Sequence, residues 1–131
     1  MGSGVVASLV ARKGGPSRSQ APGTDDEGGR SGSARWTSAV VATTIPNAVG
    51  YAYAIKMRRE RRVVVSFFGD GATEEGVFHE SLNFAALKKL PIVFFCENNF
   101  YSVQSPLSER QPDRDVAEWA AAHAMPAERI D

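Results

Sequence analysis

The sequence is informative first through what it lacks. Its single cysteine, Cys96, excludes an internal disulfide and suits a reducing compartment. Basic and acidic residues number 15 each, so the net charge is zero and gives no basic surface of the kind that binds nucleic acid. No apolar run approaches the roughly 20 residues that cross a bilayer. The 131 residues suit one small domain or part of a larger one.

The first 35 residues also lack aromatic side chains. All twelve aromatic residues follow Arg35, whereas eight of the twelve glycines precede it. This composition predicts a low-complexity, disordered segment over residues 1–35 and a folded domain over residues 36–131. Arginines and serines in the first segment would suit a transit peptide, but the acidic residues 25–27 argue against one.

The rest of the chain alternates helical patterns with short apolar runs. We predict helices over 47–59, 74–89 and 115–123 and strands over 63–68 and 92–96. Continuous apolar strands are typical of a parallel sheet buried on both faces, so the fold class is α/β with a partial doubly wound sheet. A further strand should begin to form at the end of the chain. The predicted core positions are Ala48, Tyr51, Ala52, Ile55, Leu82, Ala85, Ala86 and Leu87.

Each predicted strand ends in a polar turn. Asp70 follows the first strand between two glycines, and Asn98 and Asn99 follow the second. One crossover connects the strands, so both turns should meet at the carboxyl edge of the sheet, where such folds bind ligands. A carboxylate and an amide oxygen are suitable Mg²⁺ ligands, at about 2.1 Å in an octahedron that a main-chain carbonyl, phosphate oxygens and water would complete.

The residues around Asp70 suit a phosphate beside the metal. Gly69 and Gly71 would let the main chain adopt unusual dihedral angles and approach a ligand closely. The N–H groups of Gly71 and Ala72 precede the second predicted helix and would face an anion. Either motif by itself is usually only a turn. Together, across one crossover, they predict a metal–diphosphate site.

The two turns resemble the GDG and NN motifs of thiamine diphosphate enzymes. The resemblance covers residues 37–131 and is closest to the α subunit of the 2-oxo acid dehydrogenase E1 component, of the pyruvate or branched-chain type. Residues 94–96 and 105–109 favour the branched-chain type. The matching stretches are 44–50, 69–76 and 94–101. The folded segment would then be part of a thiamine diphosphate-binding α/β domain.

The resemblance implies roles for individual residues. Magnesium ligands fall on the Asp70 carboxylate, the Asn99 amide and the Tyr101 main-chain carbonyl, and aminopyrimidine contacts fall on the main chain of Ala39 and Val41. All the implied cofactor-binding positions are Ala39, Val41, Gly69, Asp70, Gly71, Ala72, Asn99 and Tyr101. A potassium site is also implied at Ser38, Thr43 and Thr44, where helix capping by the threonines is an equal alternative.

The implied chemistry is decarboxylation of a 2-oxo acid and acyl transfer to a lipoyl group. The implied partners are an E1 β subunit, in an α2β2 heterotetramer, and the lipoyl-bearing E2 acyltransferase. In this family the activating glutamate belongs to the β subunit, so Glu74 and Glu75 are interpreted as surface carboxylates and this chain supplies no catalytic residue. The location would be cytoplasmic in bacteria or the mitochondrial matrix in eukaryotes.

The chain departs from the family pattern in two places. Intact α subunits are more than twice as long, and after Lys13 and two glycines residues 16–18 do not match the family, as a frameshift or mis-assigned start would produce. Alternatives are an acetoin dehydrogenase α subunit, a non-catalytic remnant and a Mg-dependent phosphatase, which would need a second aspartate. His79 is interpreted as a surface or packing residue and Cys96 as a small buried hydrophobe, whereas His123 lies near the end of the last predicted helix, where a cation is stabilised.

Overall fold

The computed structural model describes residues 8–13 and 41–130 as an α/β arrangement of short elements. The strands are β1 (Ser8–Lys13), β2 (Val64–Gly69), β3 (Ile92–Asn98), β4 (Tyr101–Ser102), β5 (Ser105–Pro106) and β6 (Ala127–Ile130). The helices are α1 (Thr44–Met57), α2 (Gly76–Lys88), α3 (Leu107–Arg110) and α4 (Val116–Ala122), and a 3₁₀ turn spans Asp70–Glu74.

Four of the strands form one parallel sheet in the order β2-β3-β1-β6. Gly69 pairs with Glu97, so β2 and β3 end level with each other at the carboxyl edge. The helix α2 connects them, which confirms the predicted crossover unit. The strand β6 confirms that a further strand forms at the end of the chain. Strands β4 and β5 make a separate antiparallel hairpin just beyond β3.

The strand β1 contradicts the prediction of a disordered segment at residues 8–13. It lies inside the segment predicted to be low-complexity coil, yet it pairs with β3 on one side and β6 on the other. Leu9 is fully buried in the core. The prediction failed for residues 8–13 because it averaged composition over glycine-rich neighbours, whereas pairing with two distant strands stabilises this one. The remainder of residues 1–35 lies outside the described residues.

The sheet is covered differently on its two faces. Side chains of β2 alternate, with Ser66 and Phe68 buried and Val65 and Phe67 47% and 59% exposed. The prediction that this strand is buried on both faces is therefore wrong for the described part of the chain. The core that includes Phe68 also contains the apolar side chains of α1 and α2, so both helices cover the same face.

The helices keep most of their predicted core faces. Ala52, Ile55, Leu82 and Ala85 are buried as expected, but Leu87 is 70% exposed because it lies on the outer side of α2. Two smaller corrections concern α1, where Tyr51 is exposed and the helix begins without a capping hydrogen bond from the preceding threonine side chain. None of the helices in the described ranges is long and apolar enough to cross a membrane.

Candidate cofactor site

A cavity of about 400 Å³ opens at the carboxyl ends of β2 and β3. It brings together the predicted site residues that the structure describes: Val41, Gly69, Asp70, Gly71, Ala72, Asn99 and Tyr101. Ala39 lies outside the described residues. The two polar turns therefore meet, as expected from one crossover in a parallel sheet. Which ligand the residues hold stays a prediction.

Asp70 is the most deeply buried polar side chain of the cavity. It begins the 3₁₀ turn and is 1% exposed. Its Oδ2 accepts a charge-assisted hydrogen bond from Arg110 Nη2 at 2.5 Å, whereas its Oδ1 has no hydrogen-bond partner in the described part of the chain. A buried carboxylate oxygen without a partner is costly, so this atom requires a cation or a water molecule.

The glycines beside Asp70 do not adopt unusual dihedral angles, and only Gly71 allows close packing. Gly69 is extended, with φ −83° and ψ 165°, and neither glycine adopts the left-handed conformation. A Cβ on Gly71 would lie 2.6 Å from Ser102 Oγ, so no larger residue fits without a shift. The ordinary dihedral angles correct the first expectation, and the close contact that the structure shows is between Gly71 and the hairpin. Gly71 and Ala72 lie within the 3₁₀ turn and so do not directly precede α2.

The second turn is held by its own asparagines. Asn98 Oδ1 accepts a hydrogen bond from the Phe100 amide at 2.9 Å, and Asn99 Oδ1 accepts one from the Tyr101 amide at 3.0 Å. Each is an Asx-type contact across two residues. An amide oxygen has two lone pairs, so Asn99 retains one for a metal. Tyr101 is 56% exposed and lies at the open side of the cavity.

Three residues around the cavity adopt the left-handed conformation although none is glycine. Ala42 has φ 64°, Phe100 has φ 66° and Val103 has φ 56°. A β-branched residue in this region is a genuine outlier, and such residues cost roughly 1–3 kcal/mol each and cluster at functional sites. The backbone around the cavity therefore stores strain, which supports a binding role for this edge of the sheet.

The sequence analysis missed the residue that contacts Asp70. Arg110, at the end of α3, donates to Asp70 and Glu74 through its guanidinium and to the Ser105 carbonyl through Nε at 3.1 Å. Gln111 adds hydrogen bonds to the same turn. Arg110 lies 40 residues from Asp70 in the sequence, and no local sequence pattern predicts such a contact. The contact between Arg110 and Asp70 is visible only in the structure, where the hairpin lies against the 3₁₀ turn.

The other titratable candidates take packing positions. His79 Nδ1 and His123 Nε2 lie 3.5 Å apart, and the His79 ring packs edge-to-face against Trp119. Burial, reinforced by His79, lowers the pKa of His123. Burial, followed by the negative charges of Asp70 and Glu97, raises the pKa of the Cys96 thiol to about 12, so the thiol is protonated. Neither arrangement offers a nucleophile or base to the cavity.

The donor set suits magnesium and a diphosphate. Hard Mg²⁺ usually takes only one or two protein carboxylates, with phosphate and water oxygens as the remaining ligands. Asp70 supplies a carboxylate oxygen that has no partner in the part of the chain that the structure describes, and Asn99 supplies an amide oxygen. No cluster of three or more His, Cys, Asp or Glu side chains exists in the described ranges, as a protein-only cage would require. Of the positions implied for potassium, Thr44 lines the cavity, Thr43 precedes α1 and Ser38 lies outside the described residues.

Fold and cavity together define an α/β protein with an oxygen-rich site at the carboxyl edge of a parallel sheet. The sequence profile of the dehydrogenase E1 component family matches residues 4–131, and the chain belongs to that family. This confirms the recognition made from the motifs. Because the match begins at residue 4, the expectation that the resemblance starts near residue 37 was too narrow.

Similar proteins include α subunits of 2-oxoisovalerate dehydrogenase. The chain is 43% identical over 94 residues to the mitochondrial α subunit of Homo sapiens, 42% to that of Mus musculus and 40% to mitochondrial α subunit 2 of Arabidopsis thaliana. The aligned part covers 72% of this chain in each case. It covers 20–21% of each relative, so the chain spans about a fifth of their length.

Proposed function

We propose that the chain is part of an E1 α subunit that binds thiamine diphosphate and Mg²⁺. The observation that carries the proposal is the cavity that unites the turn at Asp70 with the turn at Asn99. Membership of the dehydrogenase E1 component family supports thiamine diphosphate as the cofactor. The residues present also fit the group, since the described residues leave the buried Asp70 Oδ1 without a hydrogen-bond partner and a cation would satisfy it.

In this proposal each residue of the cavity has a limited task. The Asp70 carboxylate, the Asn99 amide and the Tyr101 carbonyl hold the metal, and the main chain around Gly71 and Ala72 receives the diphosphate. When bound, the cofactor supplies the nucleophile and electron sink for decarboxylation of a 2-oxo acid. This chain binds and orients it, while the strained backbone at Ala42 and Phe100 fixes the shape of the cavity.

The relatives and the family support a proposal for the substrate class and the partners. Those named above are 2-oxoisovalerate dehydrogenase α subunits, which supports a branched-chain 2-oxo acid over pyruvate or acetoin. An E1 β subunit would supply the activating glutamate in an α2β2 heterotetramer, and a lipoyl-bearing E2 would accept the acyl group. The chain without its β subunit would then be inactive. If the source is eukaryotic, the mitochondrial relatives support the matrix as its location.

Calorimetric titration tests the proposal. Thiamine diphosphate with Mg²⁺ is titrated into the chain by itself and into the chain mixed with a cognate E1 β subunit. Binding is expected in the mixture, and Asp70→Asn should abolish it because the substitution replaces the metal-binding carboxylate oxygen. Asp113→Asn is the matched control, because Asp113 is exposed and lies outside the cavity.

The outcomes separate the alternatives. Binding that requires Asp70 and not Asp113 supports the cofactor site. The absence of heat in both titrations would contradict it and favour a non-catalytic remnant. A 2-oxo acid decarboxylation assay of the mixture, comparing 2-oxoisovalerate with pyruvate, then tests the substrate class, and equal rates would contradict the branched-chain preference.

A further inference from the structure

Arg110 connects three parts of the molecule near the cavity. Its guanidinium contacts the carboxylates of Asp70 and Glu74, and its Nε donates to the Ser105 carbonyl in the hairpin. The side chain is only 11% exposed. A planar guanidinium in several fixed contacts has little rotational freedom, so the position of the Asp70 carboxylate is fixed as well.

The two oxygens of Asp70 are therefore not equivalent. Arg110 Nη2 occupies Oδ2 at 2.5 Å, and Oδ1 is buried without a partner among the described residues. A cation at this site can use Oδ1 with no change in the pair. Oδ2 keeps a second lone pair, but a metal bound there would lie beside the positively charged guanidinium, so two-oxygen coordination is disfavoured while Arg110 is in place. The contact thus favours one-oxygen binding of a metal by Asp70.

This restriction distinguishes two common cations. Mg²⁺ demands a near-ideal octahedron at 2.0–2.1 Å, whereas Ca²⁺ takes six to eight oxygens at 2.3–2.6 Å and accepts carboxylates through one or both oxygens. A carboxylate with one oxygen disfavoured for metal binding suits the octahedron of Mg²⁺ and weakens a ligand that Ca²⁺ could use.

The charge of Arg110 would by itself repel a cation, and Glu74 offsets it. Glu74 accepts from Arg110 and also from Gln111 Nε2 at 3.0 Å, and the same Gln111 nitrogen reaches Thr73 Oγ1 at 2.8 Å. Arg110 and Glu74 together are neutral, so the negative charge of Asp70 remains available to the metal. Glu74 therefore acts through Arg110, without contacting the metal.

We propose that Arg110 is a positioning residue that fixes Asp70 for one-oxygen coordination and so favours Mg²⁺ over Ca²⁺. The inference rests on the proposed cofactor function, because it requires a metal at Asp70. A purely structural role, in which Arg110 only fastens α3 to the 3₁₀ turn, would change stability and both metal affinities together. The ratio of the two affinities separates these roles.

The test measures that ratio directly. MgCl₂ and CaCl₂ are titrated separately, by calorimetry, into the chain with its cognate β subunit and saturating thiamine diphosphate. Arg110→Gln removes a hydrogen bond to a metal ligand, which is typically worth about 10- to 100-fold in metal affinity, and it also leaves the charge of Glu74 unpaired, which raises the affinity for both cations alike. Only Ca²⁺ gains the freed Oδ2 as a ligand, so the ratio of Mg²⁺ to Ca²⁺ affinity should fall by up to about that factor.

Two further variants complete the design. Arg110→Lys keeps the positive charge, which protects folding. Its single ammonium group lacks the planar set of N–H donors with which the guanidinium contacts two carboxylates. It should also lower the preference for Mg²⁺, by less than Arg110→Gln. Arg114→Gln is the matched control, because this exposed arginine lies 4.3 Å over the Trp119 ring, away from Asp70, and should leave the ratio unchanged.

Each outcome decides one question. A lowered ratio in both Arg110 variants, with normal circular dichroism, supports the positioning role. An unchanged ratio in Arg110→Lys, in a complex that binds Mg²⁺ through Asp70, overturns this inference and leaves the proposed function standing. A complex that binds neither metal overturns the proposed function, and this inference with it.

Discussion

The turns that follow β2 and β3 line the same cavity, but different kinds of contact hold them. The turn after β2 is buried, and its polar groups bond to Arg110 and Gln111, which lie 36–40 residues further along the chain. The turn after β3 is more exposed, and its asparagine side chains bond to main-chain amides two residues away. One turn depends on tertiary structure and the other mainly on its own sequence.

This difference separates the tasks of the two turns. A buried carboxylate held by a distant arginine cannot move without disturbing α3, so the Asp70 side is rigid. The Asn99 side is held mainly by hydrogen bonds within its own turn. We infer that a ligand would meet an anion fixed by a distant arginine on one side of the cavity and a loop shaped by its own sequence on the other.

The largest expected effect comes from breaking the long-range contact. Asp70→Ala removes the buried partner of Arg110, a loss typically of about 3–5 kcal/mol, but it also removes the unsatisfied Oδ1, which costs about 1–3 kcal/mol. In this variant Glu74 still forms an ion pair with Arg110, which limits the loss. We expect a net loss of roughly 2 kcal/mol in the free energy of unfolding, measured by urea titration in metal-free buffer.

Asn99→Ala is the matched change in the other turn. It removes one hydrogen bond to an amide that water can also reach, so the loss should stay below about 1 kcal/mol. Equal losses for the two variants would contradict the distinction between a tertiary and a local turn.

The same distinction explains what the sequence could predict. The turns at Asp70 and Asn99, the crossover helix and the meeting of both turns follow from motifs and strand order, which are local patterns joined by one topological rule. The contact of Arg110 with Asp70 could not be predicted in this way, because it joins distant segments and no local pattern indicates it. The strand β1 overlaps a short apolar run at residues 5–11, but the glycine-rich composition around that run concealed it, and its pairing with two distant strands is visible only in the structure.

The second expected effect concerns the contact between the 3₁₀ turn and the hairpin. Gly71→Ala places a Cβ 2.6 Å from Ser102 Oγ and 3.0 Å from Ser102 Cβ, and overpacking of this kind costs roughly 1–2 kcal/mol. Adding Ser102→Gly should recover most of the loss. Gly69→Ala is the control, since the nearest described atom to an added Cβ at Gly69 is the Glu97 carbonyl oxygen at 4.0 Å. A tolerated Gly71→Ala, in urea unfolding, would show that the hairpin moves freely over the turn.

The smallest expected effect has the opposite sign and tests the local turn. Val103 is 96% exposed and adopts φ 56°, so its side chain gains little from packing while its backbone is strained. Val103→Gly removes a left-handed penalty of about 1–2 kcal/mol and adds roughly 0.5–1 kcal/mol of backbone entropy. A net gain of about 0.5 kcal/mol in the free energy of unfolding should result. The matched change Val65→Gly, in a regular strand, should destabilise the chain. If Val103→Gly also destabilises, contacts beyond the turn hold this loop, and the two sides of the cavity are more alike than their hydrogen bonds indicate.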